Sequence, residues 1–282
     1  MQMDQTVKLN NGIEMPILGY GVFQIPENQT KEVVSEALKL GYRLIDTAAG
    51  YMNEKAVGEA IKESKVPREN IFLTTKLWIQ DYENEHAVDD ALNRLGLDYI
   101  DLLLLHQPMG NYYKAWHTME KAHKEGKVRS IGVSNFQSFQ VQDLMMHNEI
   151  KPVVNQIEIN PLNPEKENVS WLEKNEIVPE AWGPMGQSKD GIFTNPILTK
   201  IAQKHEATVG QVMLAWNIQR GVVVIPKSVH ADRIKENFGA LNIELNDKEM
   251  KQIASLDQKN SYFQSLLTAD TVKYLGNLKF DY

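Results

Sequence analysis

The 282-residue chain predicts an α/β protein, an (α/β)8 TIM barrel preceded by an N-terminal β-hairpin, with residues 1–282 forming one domain. Three observations lead there. Eight short apolar runs of strand length recur: "PILGYG", "YRLID", "IFLTTK", "YIDLLLLH", "VRSIGVSN", "VVNQIEI", "IVPEAW" and "VVVIPKS". Segments with the 3.6-residue spacing of an amphipathic helix lie between most of them. Successive runs mostly start roughly 30 residues apart, the length of a βα unit, so neighbouring strands must run parallel. No Pro/Gly/Ser linker interrupts the alternation, which therefore closes as one barrel rather than dividing into two domains.

The elements follow in order. Val7-Lys8-Leu9 and Ile13-Glu14-Met15 flank Asn11-Gly12, a dipeptide that favours a tight two-residue turn with φ > 0 at both positions. After the first barrel run comes the helical pattern "TKEVVSEALKLG", with Thr30 as N-cap and Gly41 just past the end. "YRLID" stops at Asp46, a small-residue loop presents Tyr51, and a helical pattern begins at Asn53. Further helical patterns are "NEHAVDDALNRLG", "YYKAWHTMEKAHKEG", "SFQVQDLMMHN" and "ATVGQVMLAWNIQRG". A doubly wound sheet would need a G-x-G-x-x-G loop after its first strand. Gly19-Tyr20-Gly21-Val22-Phe23-Gln24 fails at the last position and runs into "QIPEN" rather than a helix.

Composition narrows the function classes. The net charge of -7 is spread over mixed-sign segments, which argues against nucleic acid or an anionic membrane as partner. The absence of cysteine removes disulfides, thiolate nucleophiles and zinc–cysteine sites. The polar start "MQMDQTVKLNNG" and the lack of an apolar span of roughly 20 residues give the expectation of a cytoplasmic protein, taken here as a monomer.

In such a barrel, side chains at the C-terminal strand ends converge on one rim. Three consecutive runs end in a polar residue there: Asp46, Lys76 and His106, with Tyr51 in the loop after the first of them. Singly, each has an ordinary structural use as a cap, a snorkelling cation, a loop hydrogen bond or a rim aromatic. Together they form a chemical set, because a buried cation needs an anion and Lys76 beside Asp46 supplies both. An ammonium near a phenol favours the phenolate, so Lys76 is expected to lower the Tyr51 pKa and make it a general acid. His106 would orient the substrate oxygen.

Those residues stand within "GYRLIDTAAGYMNEKAVG", which resembles the first signature of the aldo-keto reductases. The resemblance continues through "GKVRSIGVSNF", "NQIEINP" and the late signature "IPKSVHADRIKEN", over nearly the full length. Within the family, "GYGVFQIP", "EAWGPMGQ" and the short loops look like the bacterial 2,5-diketo-D-gluconate reductase / methylglyoxal reductase branch. The family implies Asp46, Tyr51, Lys76 and His106 as its catalytic tetrad and NADPH/NADP+ as cofactor. By the same match, Ser134, Asn135 and Gln156 would bind the nicotinamide carboxamide, and Trp182 would stack on the ring. Met185, Gly186 and Gln187 would lie along the pyrophosphate. Lys227, Ser228 and Arg233 would hold the 2'-phosphate, with Glu236 and Asn237 on the adenine side. Trp182 replaces the tyrosine and Asn160 the histidine that many members carry; the first keeps an aromatic plate, and the second is expected to sit away from the chemistry.

The implied reaction is reduction of small aldehydes, α-dicarbonyls or keto-sugars. Phe23 and Trp78 would complete an aromatic pocket wall, and the short C-terminal tail is expected to add little to it. A metal-dependent hydrolase on the same barrel would need ligand spacings such as H-x-H or H-E-x-x-H, which the seven histidines lack; no metal site is expected. A non-catalytic, nucleotide-sensing subunit is the other alternative, and the intact tetrad argues against it.

Overall fold

The computed structural model describes residues 5–259, 261 and 268–282, and of residue 190 the backbone alone. Strands β1 (Thr6–Lys8) and β2 (Glu14–Pro16) pair antiparallel, with Lys8 opposite Glu14. The turn between them differs from the two-residue form expected. Only Gly12 has positive φ, at +87°, while Gly12 N donates to Leu9 O and Leu9 N donates to Ile13 O. This is a three-residue loop in which one glycine takes the left-handed position. Asn10 and Asn11 are thereby freed to donate to Pro152 O, Glu176 O, Arg129 O and Ser130 Oγ. Those partners sit near the starts of barrel strands, so the hairpin covers the barrel's N-terminal end.

The barrel strands are β3 (Gly19–Gly21), β4 (Leu44–Asp46), β5 (Phe72–Leu77), β6 (Ile100–Leu105), β7 (Val128–Ser134), β8 (Val154–Glu158), β9 (Val178–Trp182) and β10 (Val223–Val224). Each pairs in parallel with the next in sequence. A parallel bridge between Leu18 and Val224 closes the ring, reinforced by Gly21 N donating to Pro226 O at 3.1 Å. Buried on both faces, the strands read as the continuous apolar runs that a parallel sheet requires, "DLLLL" most clearly.

Helices cover the outside. The first, Glu27–Leu40, starts a turn earlier than the Thr30 cap predicted. Pro26, with φ at −59°, occupies the N-cap position, and Thr30 Oγ1 donates back to Pro26 O at 2.9 Å from within the first turn. Gly41 ends the helix in the left-handed conformation, as expected. Helix Glu54–Glu63 packs so tightly on the end of helix Ala87–Leu95 that a Cβ at Gly58 would lie 1.7 Å from Leu95 O. After β9 a 3-10 segment, Gly186–Thr194, precedes helices Pro196–Lys204 and Val209–Gln219. These two helices share a satellite core with Asp247–Ala254, built on Leu198, Val212, Trp216 and Ile253. Among the described residues, no helix is long and apolar enough to cross a membrane.

Candidate active site

Asp46 is the last residue of β4, Lys76 lies one residue before the end of β5, and His106 follows β6 directly. The barrel register therefore brings these three to the same rim. Tyr51 ends the 3-10 turn Ala49–Tyr51. That loop is fixed from beneath by Asn53, which is buried, donates to Val22 O and Ile25 O at 3.1 Å each, and accepts from Thr47 Oγ1 at 2.8 Å. Asn53 was legible as the start of a helix, and its second task of holding the Tyr51 loop against the loop after β3 has no local signature.

Lys76 and Asp46 are both 1% exposed. Lys76 Nζ lies 2.8 and 2.7 Å from the two Asp46 oxygens, 2.9 Å from Thr47 O and 3.4 Å from the Tyr51 hydroxyl. Burial opposes the ammonium charge, but Asp46 foremost, then Tyr51 and Glu180, outweigh it and hold the Lys76 pKa above its ordinary value. The phenol behaves otherwise than the sequence suggested. Lys76 does favour phenolate, yet desolvation of Tyr51 is the larger effect and pushes its pKa up to about 12. Tyr51 is thus a firmly protonated donor. His106 is driven well below the usual imidazole range, first by burial and then by the Lys76 charge, so its ring is neutral. Its buried Nδ1 has no hydrogen-bond partner.

Aromatic side chains wall this group. The Phe23 ring lies 5.0 Å from Tyr51, Trp78 lies 5.0 Å edge-on to His106, and His106 is 5.7 Å from Tyr51. Phe23 is 45% exposed, whereas Trp78 is buried. What buries it is the C-terminal tail, contrary to the expectation that the tail adds little. Trp78 Nε1 donates to Leu278 O at 3.0 Å, and Gln80 exchanges two hydrogen bonds with the Phe280 backbone. The Phe280 ring stands 5.2 Å from Trp78 and against Gly50, where a Cβ would lie 2.9 Å from it. Tyr282 completes the strap by bonding Asp81, with the Arg94 guanidinium 4.5 Å above its ring.

The residues assigned to a cofactor fall into two groups. Ser134, Asn135, Gln156 and Trp182 lie beside the tetrad. Trp182 Nε1 donates to Asn135 Oδ1 at 2.9 Å, Asn135 Nδ2 donates to His106 O at 3.0 Å, and Ser134 Oγ donates to Gln156 O at 2.9 Å. Gln156 Nε2 donates to Asp46 Oδ2 and to Glu180 Oε2, each at 2.9 Å. Glu180 is an acid that sequence reasoning missed, since "VPEAW" reads as a strand whose polar residue could face either way. It is fully buried; burial, with the Asp46 carboxylate next, pushes its pKa up to about 8 against the pull of Gln156 and Lys76.

The second group follows β9 and β10. Met185, Gly186 and Gln187 form the turn entering the 3-10 segment, with Gly186 and Gln187 both at positive φ. Asn160 packs under this turn, its carboxamide 3.9 Å from where a Gly186 Cβ would stand. Lys227 and Ser228 follow β10, and Arg233, Glu236 and Asn237 lie on helix Ala231–Phe238. Tyr20 donates to Ser228 O at 2.5 Å and so anchors this loop to β3. Lys227 and Arg233 are exposed and, among the described residues, make no ion pair. Glu236 is engaged in accepting from Thr208 Oγ1 at 2.8 Å. Unpaired cations at a strand end beside a helix N-terminus, with a buried polar rim on the other side, fit a phosphate-bearing dinucleotide.

Residues 17–258 match the sequence profile described as the aldo/keto reductase family. The chain belongs to the aldo/keto reductase family. It is 46% identical over 261 residues to glyoxal reductase of Bacillus subtilis (strain 168), covering 91% of this chain and 94% of that one. Identity to methylglyoxal reductase DkgA of Escherichia coli (strain K12) is 42% over 256 residues, 89% and 93% of the two chains. Among solved structures, the aldo-keto reductase MGS-M4 from a Medee basin deep-sea metagenome library superposes with a TM-score of 0.91 at 41% identity, covering 94% and 99%. This aldo/keto reductase is an oxidoreductase, and its family uses NADH or NADPH. The relatives agree with the sequence-based reading of the bacterial branch.

Proposed function

We propose that the protein reduces small aldehydes and α-dicarbonyls such as methylglyoxal, and keto-sugars, with NADPH as the preferred cofactor. The observation that carries this reading is the Lys76 ammonium, buried and bonded at once to Asp46 and to the Tyr51 hydroxyl. When bound, the nicotinamide supplies the hydride. Tyr51, protonated at neutral pH, donates its hydroxyl proton to the carbonyl oxygen. Lys76 stabilises the phenolate left behind, and Asp46 keeps Lys76 charged and aimed. The neutral His106 ring donates a hydrogen bond that orients the carbonyl, and the two preorganised donors stabilise the developing alkoxide. Ser134, Asn135 and Gln156 would hold the carboxamide with Trp182 against the ring, Met185, Gly186 and Gln187 would follow the pyrophosphate, Lys227, Ser228 and Arg233 would take the 2'-phosphate, and Glu236 and Asn237 the adenine. Phe23 and Trp78, now joined by Phe280, would contact substrate.

The relatives named glyoxal and methylglyoxal reductase support the small-carbonyl class, and the family support an enzyme rather than a nucleotide-sensing subunit. A single-domain cytoplasmic monomer remains part of the proposal. The test is NADPH oxidation followed by absorbance with methylglyoxal, a simple aldehyde and a keto-sugar as substrates. Turnover of the small carbonyls is expected; NADPH binding without turnover of any of them would favour the sensing role.

A further inference from the structure

Four polar side chains form a continuous path across the barrel interior: Lys76, Asp46, Gln156 and Glu180. Two carboxyl groups flank one amide, since Gln156 Nε2 gives one hydrogen to each at 2.9 Å. Among the described residues one cation serves both, and it is committed to Asp46 at 2.7 and 2.8 Å. Glu180 is 0% exposed and its Oε1 has no hydrogen-bond partner. An ionised carboxylate there would be buried with a single hydrogen bond, which is unfavourable. A neutral acid requires far less solvation. Glu180 also stands two residues before Trp182 on β9, so both side chains leave the same face of the strand. It is opposite Gln156 in the β8–β9 register.

We propose that Glu180 is a positioning residue whose proton sets the enzyme's relative affinity for the two oxidation states of the nicotinamide. Neutral, it leaves the site with only the Lys76–Asp46 pair; ionised, it accepts more strongly from Gln156 and adds a negative charge beneath Trp182 that favours the cationic, oxidised ring. The inference rests on the proposed cofactor placement against Gln156 and Trp182.

The sign follows from the charges. Burial, then the Asp46 carboxylate, pushes the Glu180 pKa up to about 8, and its unpartnered Oε1 disfavours the carboxylate, so at neutral pH the acid form prevails and the reduced, uncharged ring is relatively favoured. Raising the pH favours the oxidised cofactor. The charged and titratable groups facing Glu180 are Asp46 and Lys76, with Tyr51 beyond them. Tyr51 and the depressed His106 titrate outside this window. On its flanks β8 offers the neutral Gln156 and β10 the apolar Val223, while the outer helix Lys166–Lys174 buries Val169 and Leu172.

The experiment measures dissociation constants of NADP+ and NADPH from pH 6 to 9.5 by quenching of tryptophan fluorescence. Taking their ratio cancels titrations common to both ligands, those of the phosphates included. In the wild type, NADP+ should gain on NADPH by on the order of tenfold as pH rises, within the usual range of coupling between linked sites. Glu180→Gln should flatten the ratio while still binding both. Infrared difference spectra give a reading independent of cofactor: a protonated-carboxyl C=O band should titrate near pH 8 and be missing in Glu180→Gln. Because linkage is reciprocal, saturating NADP+ should move that titration to lower pH by the same factor. A flat wild-type ratio, or a slope retained in Glu180→Gln, overturns the role of Glu180 and leaves the cofactor assignment standing. A titrating band that ignores NADP+ shows a buried acid remote from the ring and overturns the proposal. Failure of either nucleotide to bind overturns both readings.

Discussion

Lys76 has three N–H donors, and Asp46, Thr47 O and the Tyr51 hydroxyl receive them, all inside a rim almost closed to water. In this arrangement no single substitution is local. Tyr51→Phe removes the proton source and leaves Lys76 paired, so kcat should fall by about 10²–10⁴ with NADPH affinity nearly kept. Steady-state kinetics with methylglyoxal and fluorescence titration separate the two, and near-normal turnover would refute the assignment. Lys76→Met should be as damaging to kcat and should also destabilise the fold by roughly 3–5 kcal/mol, because Asp46 is left buried without its cation. Urea unfolding checks that figure. The identities and meeting of Asp46, Tyr51, Lys76 and His106 were legible in the sequence, since strand ends in a parallel barrel must converge. The sign of the Tyr51 shift was not. It depends on how much water the folded rim excludes, and burial of that kind has no local signature. Glu180 escaped for a related reason: a two-residue period says that alternate side chains face inward, but an isolated polar residue in a doubly buried strand does not say on which side it lies.

At the scale of elements, periodicity located strands and helices well and the ends less well. Thr30 looked like a cap because hydroxyls favour that position, yet Pro26 had already fixed the chain's entry into the helix. The tail was misjudged because its partners, Trp78 and Gln80, lie some 200 positions away in sequence. Phe280 is held by its backbone, which makes its ring a separable variable. Phe280→Ala should raise KM about 2–10-fold, corresponding to the loss of an aromatic pair, and more for an aromatic aldehyde than for methylglyoxal. Equal changes for both substrates would mean that the ring braces the strap without lining the pocket. Elsewhere Glu249 joins two elements. It completes the capping box with Asn246 at the start of Asp247–Ala254 and binds Lys204 and His205 at the end of Pro196–Lys204. Burial raises its pKa, but Lys204, the Asn246 N–H and His205 outweigh this and bring it down to about 2. A folded pKa below the unfolded one contributes stability above the unfolded value, lost as pH falls toward the folded value. Glu249→Ala should therefore cost about 0.5–2 kcal/mol at pH 7, the usual worth of a cap, and progressively less toward pH 2. Thermal unfolding across that range would reveal a pH-independent difference if packing alone were responsible.

The whole molecule carries a net charge of -7, so it repels a polyanionic dinucleotide at long range, and binding must come from a local concentration of cations. The proposed cofactor placement puts that concentration after β10, where Lys227 and Arg233 stand exposed with no ion pair among the described residues. The closure of the ring through Leu18 and Val224 fixes this loop relative to β3, and Tyr20 ties Ser228 to the same strand, so Lys227 and Ser228 stand on a segment anchored to the barrel. Sequence could name these residues through the family signature. It could not say whether the acidic residues on the same helix, Asp232 and Glu236, would already neutralise them. Glu236 instead bonds Thr208, which leaves Arg233 available. Only a 2'-phosphate can use that availability, because NADH carries a hydroxyl there. Arg233→Ala should weaken NADPH by roughly 10–100-fold, the range of one charge-assisted hydrogen bond, and NADH by little. The same contact predicts a steeper loss of NADPH than of NADH affinity as salt is raised from low to physiological ionic strength, since exposed charges are screened there. Fluorescence titrations of both nucleotides, in wild type and variant at two salt concentrations, decide the matter. If Arg233→Ala weakened both nucleotides alike with unchanged salt dependence, its role would be to hold the helix, and the proposed preference for NADPH would have to reside in Lys227 and Ser228.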